Sequence, residues 1–363
     1  MKDKNNKTNT FSTNLSKTDT SGKKAAYRTS RKAGDTAQIP DRLPIITNTK
    51  YQNALTPIKN DTAYLQPITS VDSLKYENGT LSYRDLPITS AALNSLIPEH
   101  SIEKINLPLL RALYGIILNN LPKVSLSNPT LNNVFTIYYP DFARKTGKSS
   151  NIGKNDINEF AKNIEHFKTV LGVISNGTKS GDILPVLTDI KIDSGKNTIS
   201  FASPYIVRLI GDIYKTSIRK SKKGEPLLKK NGEPQMSPSY SYLIDMSIVK
   251  ERNRKAVEIV FIVVTLIEQA GNNTPHIRAK TIIERNSLLS KSLQGQSCSN
   301  KNILLKRAFK KAWELLNNKT YLATSYKNIH LPDPENDSDI PISTTLDMVF
   351  KFPHEGKIKT PQS

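Results

Sequence analysis

Two pairs of basic residues in the segment 302–316 have the spacing of neighbours on one helical face. The pairs, each four residues apart, are Lys306 with Lys310 and Arg307 with Lys311. Apolar residues recur on the other side of the segment: Leu304, Leu305, Ala308, Phe309, Ala312, Leu315 and Leu316. The pattern predicts an amphipathic helix with a cationic ridge, which Lys301 and Asn302 extend toward the N-terminus.

A ridge of this kind suits the major groove of duplex DNA. Lysine and arginine can pair with phosphates or guanine edges, and the N-terminus of a recognition helix usually meets the bases. The simpler alternative is a solvated lysine face with no ligand. A preceding short helix and a strand-like stretch after the segment favour the DNA interpretation.

Two further groups of basic and small polar residues suit phosphate contacts, which position a protein without reading sequence. The first group lies at the end of a short predicted helix and in the turn after it, and comprises Arg144, Lys145, Lys148, Ser149 and Lys154. The second, Lys222 and Lys223, lies in a stretch rich in Lys, Gly and Pro at 219–237. Both groups are predicted to bind DNA.

No signature of catalysis or of metal binding is recognisable in the sequence. The segment 172–179 has two P-loop glycines, but its Thr-Lys order reverses the required Lys-Ser/Thr. The five histidines are dispersed, and Cys298 is the only cysteine. We therefore expect a protein that is not an enzyme, with no catalytic residue, no metal and no cofactor.

The charge balance points to an anionic partner. Lys and Arg number 52 against 32 Asp and Glu, a net charge of +20. Such a charge attracts nucleic acid, because each neutralised phosphate releases counterions. An anionic membrane surface is the competing partner, and an AT-rich genome would also enrich lysine.

The most apolar run, 256–267, is shorter than the about 20 residues of a membrane span. With no apolar signal segment and a single cysteine, a cytoplasmic protein without a membrane partner is expected.

The N-terminal segment 1–95 is expected to be a largely disordered basic arm and lead-in. Residues 1–50 are mostly Lys, Asn, Thr and Ser, and they offer few large apolar side chains to offset the entropy of ordering. Residues 51–95 carry scattered apolar positions between prolines, and they predict an extended lead-in with one short strand or helix.

Residues 96–218 are predicted to form a first winged-helix domain. A helix over 109–121 is followed by a strand at 135–139 and a short helix at 141–145. A long helix then continues as far as 174, with its N-cap at Asn155. Alternation on both sides of the turn 193–196 predicts a hairpin, and a helix at 204–218 closes the module.

The same order of elements returns after a basic linker at 219–237, in a second winged-helix domain over 238–352. Its helices are predicted at 246–270, 277–285 and 302–316, with strands at 320–331 and 344–352. Residues 353–363 form a tail. The predicted fold class is therefore α+β, with two winged-helix domains (helix-turn-helix plus β-hairpin wing) in tandem.

This pattern resembles the tandem winged-helix replication initiators of bacterial plasmids and integrative elements. In the first module the resemblance rests on RALYGIILNN, TIYYPDFARKTG, INEFAKNIEHFKTVLGVI and TDIKIDSGKNTISFASPYIVRLI, and in the second on RAKTIIERN and ILLKRAFKKAWELLNNKTYL. It implies binding to repeated origin sites in double-stranded DNA and recruitment of host helicase or initiator proteins. It also implies a dimer-to-monomer switch, regulation of the protein's own promoter and no catalytic site. The long arm and the linker are not family hallmarks.

Three other functions remain open at this point. A winged-helix transcription regulator would use the same surfaces. A DNA-processing enzyme, such as a relaxase or recombinase, would need a site that the sequence does not reveal. A scaffold could bind acidic proteins through the same basic faces.

Overall fold

A computed structural model of the chain describes residues 36–57, 62–67, 74–77, 80–83, 86–87, 106–122, 126, 129–148, 152–175, 181–270, 276–321 and 349–351. Within these residues the protein is a mixed α+β structure, which confirms the predicted class at that level. Most of its buried apolar side chains belong to one continuous core.

The described residues form eight helices and thirteen strands. The helices are α1 (Leu107–Asn120), α2 (Tyr139–Lys145), α3 (Lys154–Glu165), α4 (Pro204–Ser217), α5 (Arg254–Ala270), α6 (Ala279–Arg285), α7 (Ser287–Leu293) and α8 (Cys298–Lys319). The strands are β1 (Arg42–Ile46), β2 (Ala63–Pro67), β3 (Leu74–Glu77), β4 (Thr80–Tyr83), β5 (Leu86–Pro87), β6 (Val134–Tyr138), β7 (Val170–Ser175), β8 (Gly181–Pro185), β9 (Thr188–Asp193), β10 (Thr198–Ala202), β11 (Tyr240–Asp245), β12 (His276–Arg278) and β13 (Val349–Lys351).

The first half of the chain, from α1 to α4, contains the predicted strand, short helix, hairpin and closing helix. Its central sheet has the order β6-β10-β9, so the strand that precedes α2 pairs with the second strand of the hairpin. α1 has Pro108 in its first turn, where backbone N–H groups have no partner within the helix, so the missing N–H of proline leaves no bond unmade. Asn106 caps the helix, because its side chain accepts a hydrogen bond from the Leu109 N–H.

The prediction that one long helix continues to residue 174 is wrong. α3 ends at Glu165, a 3₁₀ turn follows, and residues 170–175 form β7 between β2 and β8. Gly172 lets this strand pack closely against α4, because the ring of Tyr205 occupies the space of a side chain there: a Cβ at position 172 would lie 2.0 Å from that ring. A second sheet, absent from the sequence-based prediction, therefore covers α4.

The second half, from β11 onward, differs from its prediction in three places. Residues 246–253 precede α5 and include a 3₁₀ turn, Met246–Lys250, whereas one continuous helix was predicted from 246. An unpredicted helix, α7, lies between α6 and α8. α8 starts four residues earlier than predicted, capped by Ser297. The strand predicted at 320–331 lies almost entirely outside the described residues, and β13 pairs with β12.

Both halves repeat one order of elements. In each, a long helix leads to a short strand that runs straight into the next helix, and a later strand pairs with that short strand in antiparallel fashion. The strands β1 and β11 pair antiparallel with each other. They join the N-terminal segment to the start of the second half.

The expectation that residues 1–50 do not fold is wrong for residues 36–50. β1 is almost wholly buried, and Leu43, Ile45 and Ile46 belong to the core. Residues 51–55 add further core side chains, and the backbone at Ala54 accepts a 2.7 Å hydrogen bond from the Tyr205 hydroxyl. Residues 1–35 lie outside the described residues. The few apolar side chains of this segment suffice because β11, nearly two hundred residues further along the chain, pairs with β1 and supplies its backbone hydrogen bonds.

Truncation distinguishes the two parts of the arm. A chain that starts at residue 36 should melt at nearly the same temperature as the full chain, because the composition of 1–35 offers little to bury. A chain that starts at residue 51 loses four buried apolar side chains, Ile39, Leu43, Ile45 and Ile46, worth about 1.5–3 kcal/mol each. That sum is comparable to the whole stability of a domain, about 5–15 kcal/mol. Circular dichroism melts of both truncations test this, and an unchanged midpoint in the shorter chain would contradict the role of β1.

The predicted linker, 219–237, lies within an exposed element, 217–237, that has a backbone ladder of its own. Gly-Glu-Pro occurs in it twice, at 224–226 and 232–234. Each glycine ends a tight turn at positive φ, +86° and +80°, a conformation that favours glycine. Three backbone bonds of 2.7–2.8 Å close a ring: Arg219 donates to Gln235, Gln235 to Leu227, and Leu227 to Arg219. These bonds hold the element together without a core of its own.

A buried ion pair joins the two halves. Arg111 of α1 donates two hydrogen bonds to the carboxylate of Glu258 on α5, at 2.7 and 2.9 Å. The two residues are 8% and 3% exposed, and the guanidinium also lies 3.9 Å from the centre of the Phe261 ring. Because the charges are shielded from water, the pair fixes how α1 and α5 pack.

Candidate nucleic-acid interface

The outer face of α8 has a row of six exposed residues at helical spacing. They are Asn300, Ile303, Arg307, Lys310, Glu314 and Asn317. The opposite face carries Leu305, Ala308, Phe309 and Trp313 into the core against α5 and neighbouring elements. Arg307 and Lys310 therefore project from a helix whose position is fixed by packing, as a surface that reads a ligand requires.

The cationic ridge predicted for this helix is only partly correct. Lys306 and Asn302 are buried, at 9% and 7% exposure, and do not belong to the outer face. The spacing explains the error, because Lys306 lies three residues before Phe309 and seven before Trp313, on the same side of the helix. The rings of those two residues pack edge-to-face at 5.7 Å, and the buried face widens to include the stem of Lys306.

Two other predicted residues of α8 are half-buried. Lys311 lies 3.0 Å from the Glu314 carboxylate and 3.7 Å from that of Glu251. The hydrogen bond with Glu314 is the main reason that the pKa of Lys311 is raised. Lys301 is partly exposed near the N-terminus of the helix. Of the predicted cations on α8, Arg307 and Lys310 are thus the exposed ones.

Each described cation of the predicted phosphate-binding turn in the first half has an aspartate partner. Arg144 lies 2.7 Å from Asp141, Lys145 contacts Asp41, and Lys148 contacts Asp156. Ser149 lies outside the described residues, as does the side chain of Lys154 at the start of α3. The turn is consequently far less cationic than its sequence indicates.

The pairing of Lys148 with Asp156 alters nearby ionisation. The hydrogen bond from Lys148, followed by one from the Gly153 N–H at 2.9 Å, lowers the pKa of Asp156. Burial, together with repulsion from Lys148, lowers the pKa of Lys250, whose ammonium lies 3.5 Å from the Ala143 carbonyl. Residue 250 belongs to the second half. The turn of the first half therefore serves as a packing contact between the halves.

The outer face of α3 is also unsuited to phosphate. Its exposed positions with described side chains are Asn155, Asn158, Glu159, Lys162 and Glu165. Among these side chains two carboxylates stand against one lysine, which disfavours contact with a polyanion. The two halves therefore differ in the charge that their corresponding helices present.

The 217–237 element is strongly basic. Its exposed cations are Arg219, Lys220, Lys222, Lys223, Lys229 and Lys230, accompanied by Glu225 and Glu233. Lys222 and Lys223 form the tip of one turn, and Lys230 lies in the other. Lys229 is partly neutralised by Glu233 at 3.3 Å. An element that presents lysines in two tight turns suits phosphate contacts that do not depend on DNA sequence.

If this element holds DNA phosphates, removal of its lysines should weaken all DNA binding alike. Substitution of Lys222, Lys223, Lys229 and Lys230 by alanine is expected to lower specific and non-specific affinity by the same factor. The slope of log affinity against log salt should flatten, by about 0.9 for each phosphate that the variant no longer neutralises. Fluorescence anisotropy titrations at several salt concentrations measure both effects. A reduction confined to specific binding would mean that the element reads bases instead.

Sequence reasoning missed two residues on the outer face of α8, Asn300 and Ile303. The early start of α8 at Cys298 brings Asn300 into its first turn, and the true position of the buried face turns Ile303 outward. The sequence did contain a signal for this face: Ile303, Arg307 and Lys310 recur at helical spacing on the side of the helix away from its aromatic residues.

Two kinds of site are absent from the part of the chain that the structure describes. None of its helices combines the length and apolarity needed to cross a bilayer. Its His, Cys, Asp and Glu side chains form no group of three or more that could hold a metal ion.

No family model, curated protein or solved structure matches this chain. The surfaces of the molecule therefore carry the functional proposal.

Proposed function

We propose that the protein is a sequence-specific, non-enzymatic binder of double-stranded DNA that initiates replication of a plasmid or mobile element. In this proposal both halves are winged-helix modules. α8 enters the major groove, and the 217–237 element holds neighbouring phosphates. Repeated origin sites are the ligand, and host replication proteins are the partners to be recruited.

The topology of the first half supports the winged-helix part of the proposal. A winged helix pairs the strand before its second helix with the returning strand of the wing, and the order β6-β10-β9 has this property. In the second half, β12 precedes α6 and pairs with β13. α8 then corresponds to the recognition helix, which in helix-turn-helix proteins inserts its N-terminal residues among the bases.

The outer face of α8 is the observation that carries the DNA-binding proposal. Arg307 and Lys310 are exposed and adjacent, and Asn300 lies two turns toward the N-terminus. These side chains can pair with guanine and adenine edges in the major groove.

A replication assay tests the role as initiator. A DNA circle that carries the gene, its flanking sequence and a resistance marker, but no other origin, should yield colonies in a suitable host. A matched circle with an early stop codon should yield none, unless the protein is supplied from a second plasmid. Specific binding to the flanking DNA without any autonomous replication would favour a transcription regulator and overturn the initiator role.

A further inference from the structure

Ile303 is an exposed apolar side chain at the centre of a polar helical face. It is 44% exposed, and Asn300 and Arg307 lie one turn away on either side. Five other large apolar residues in the described part of the chain are similarly exposed, namely Val134, Ile192, Leu228, Tyr240 and Tyr321. None of these five lies on a helix, so Ile303 is distinctive in its setting.

Isoleucine cannot form a hydrogen bond with phosphate or with a base edge. The apolar group that a base pair offers in the major groove is the C5-methyl of thymine. An isoleucine between residues that pair with base edges is therefore suited to contact a thymine methyl. That contact removes the apolar surfaces of the isoleucine and of the methyl group from water.

The spacing along the helix fits a short run of base pairs. At about 1.5 Å rise per residue, Ile303 lies roughly 4.5 Å from Asn300 and 6 Å from Arg307 along the axis. Base pairs are stacked about 3.4 Å apart. Neighbouring residues of the row can therefore address adjacent or next-adjacent base pairs.

We infer that Ile303 determines specificity by contacting a thymine methyl, with Asn300 reading an adenine and Arg307 a guanine on either side. This inference rests on the proposed DNA-binding function and adds the composition of the site: A·T pairs next to a G·C pair. Asparagine and arginine can each form two hydrogen bonds with those purines.

Replacement of thymine by deoxyuridine tests the methyl contact directly, because it removes the methyl group and keeps base pairing intact. The bound sequence is first selected from a random duplex library with the full-length protein. Each thymine of that sequence is then replaced in turn by deoxyuridine. At one or two positions the wild-type affinity should fall roughly three- to fivefold, the effect of about one buried methyl group.

The variant Ile303→Ala should bind the selected duplex more weakly and be indifferent to deoxyuridine at those positions. Ile303→Val, which keeps a methyl-bearing branch, should retain most of the sensitivity. Val134→Ala, a truncation of an exposed aliphatic residue outside α8, should behave as wild type. Because Ile303 is exposed, melting temperatures should match throughout.

The outcomes separate the inference from the function on which it rests. If no duplex is selected, DNA binding itself fails. If the protein selects a duplex but wild type and Ile303→Ala respond equally to deoxyuridine, or neither responds, DNA binding stands and the role of Ile303 is overturned.

Discussion

Substitution of Arg307 and Lys310 by alanine should reduce specific DNA affinity by at least about tenfold while the fold stays intact. A bidentate contact to a base is worth roughly 1–3 kcal/mol of discrimination, and the variant removes two cations. Both side chains are exposed, and alanine has the highest helix propensity, so the melting temperature should not fall. Anisotropy titrations with selected and scrambled duplexes, with parallel circular dichroism melts, measure the two effects.

Two control proteins make this result interpretable. The pair Lys162→Ala and Lys215→Ala removes the same charge from exposed positions outside α8, and the ratio of specific to non-specific affinity should not change. Leu305→Ala should do the reverse of the double variant, because it opens a cavity under a 1% exposed side chain and costs about 2–5 kcal/mol of stability. Unchanged selectivity in the Arg307 and Lys310 variant would exclude α8 as the reading element.

Loss of either partner of the Arg111–Glu258 pair should destabilise the protein by about 3–5 kcal/mol, since a buried charge is left uncompensated. Urea unfolding of Arg111→Ala and Glu258→Gln measures the effect. Both hydrogen bonds to Glu258 are shorter than 3 Å and both residues are almost inaccessible to water, so solvent cannot replace the missing partner.

A double substitution separates the pair's net contribution from the penalty of breaking it. Arg111→Met with Glu258→Leu replaces both charges by apolar groups of similar size, and such exchanges are often neutral or stabilising. The double variant should therefore recover most of the stability that each single variant loses. If the three variants lost equal stability, packing around Phe261 and not the charge pair would hold α1 against α5.

The local patterns of the sequence determined much of the fold. The helical periodicity of α1, the alternation around the turn 193–196 and the apolar stripe of α8 each predicted the right element at about the right place. These signals succeed because a helix or hairpin that buries one face must repeat apolar residues at its own period. Arg307 and Lys310 were identified in this way as exposed cations.

The tertiary structure alone decided which partner each residue meets. Lys306 is buried because the row of Phe309 and Trp313 extends to it, whereas its type and its spacing to Lys310 indicated the surface. Arg144, Lys145 and Lys148 have the composition of a phosphate-binding turn. Arg144 pairs with Asp141 in the same helix, but folding brings the remote Asp41 to Lys145 and Asp156 to Lys148.

The burial of the N-terminal segment also depends on a partner, one that is remote in sequence. β1 is buried because β11, almost two hundred residues further along the chain, supplies its hydrogen bonds. Periodicity within a short stretch of sequence shows which face of a helix or strand is apolar. It does not show how wide the buried face is, or which remote strand pairs with the segment. Those depend on contacts that form only once the chain has folded.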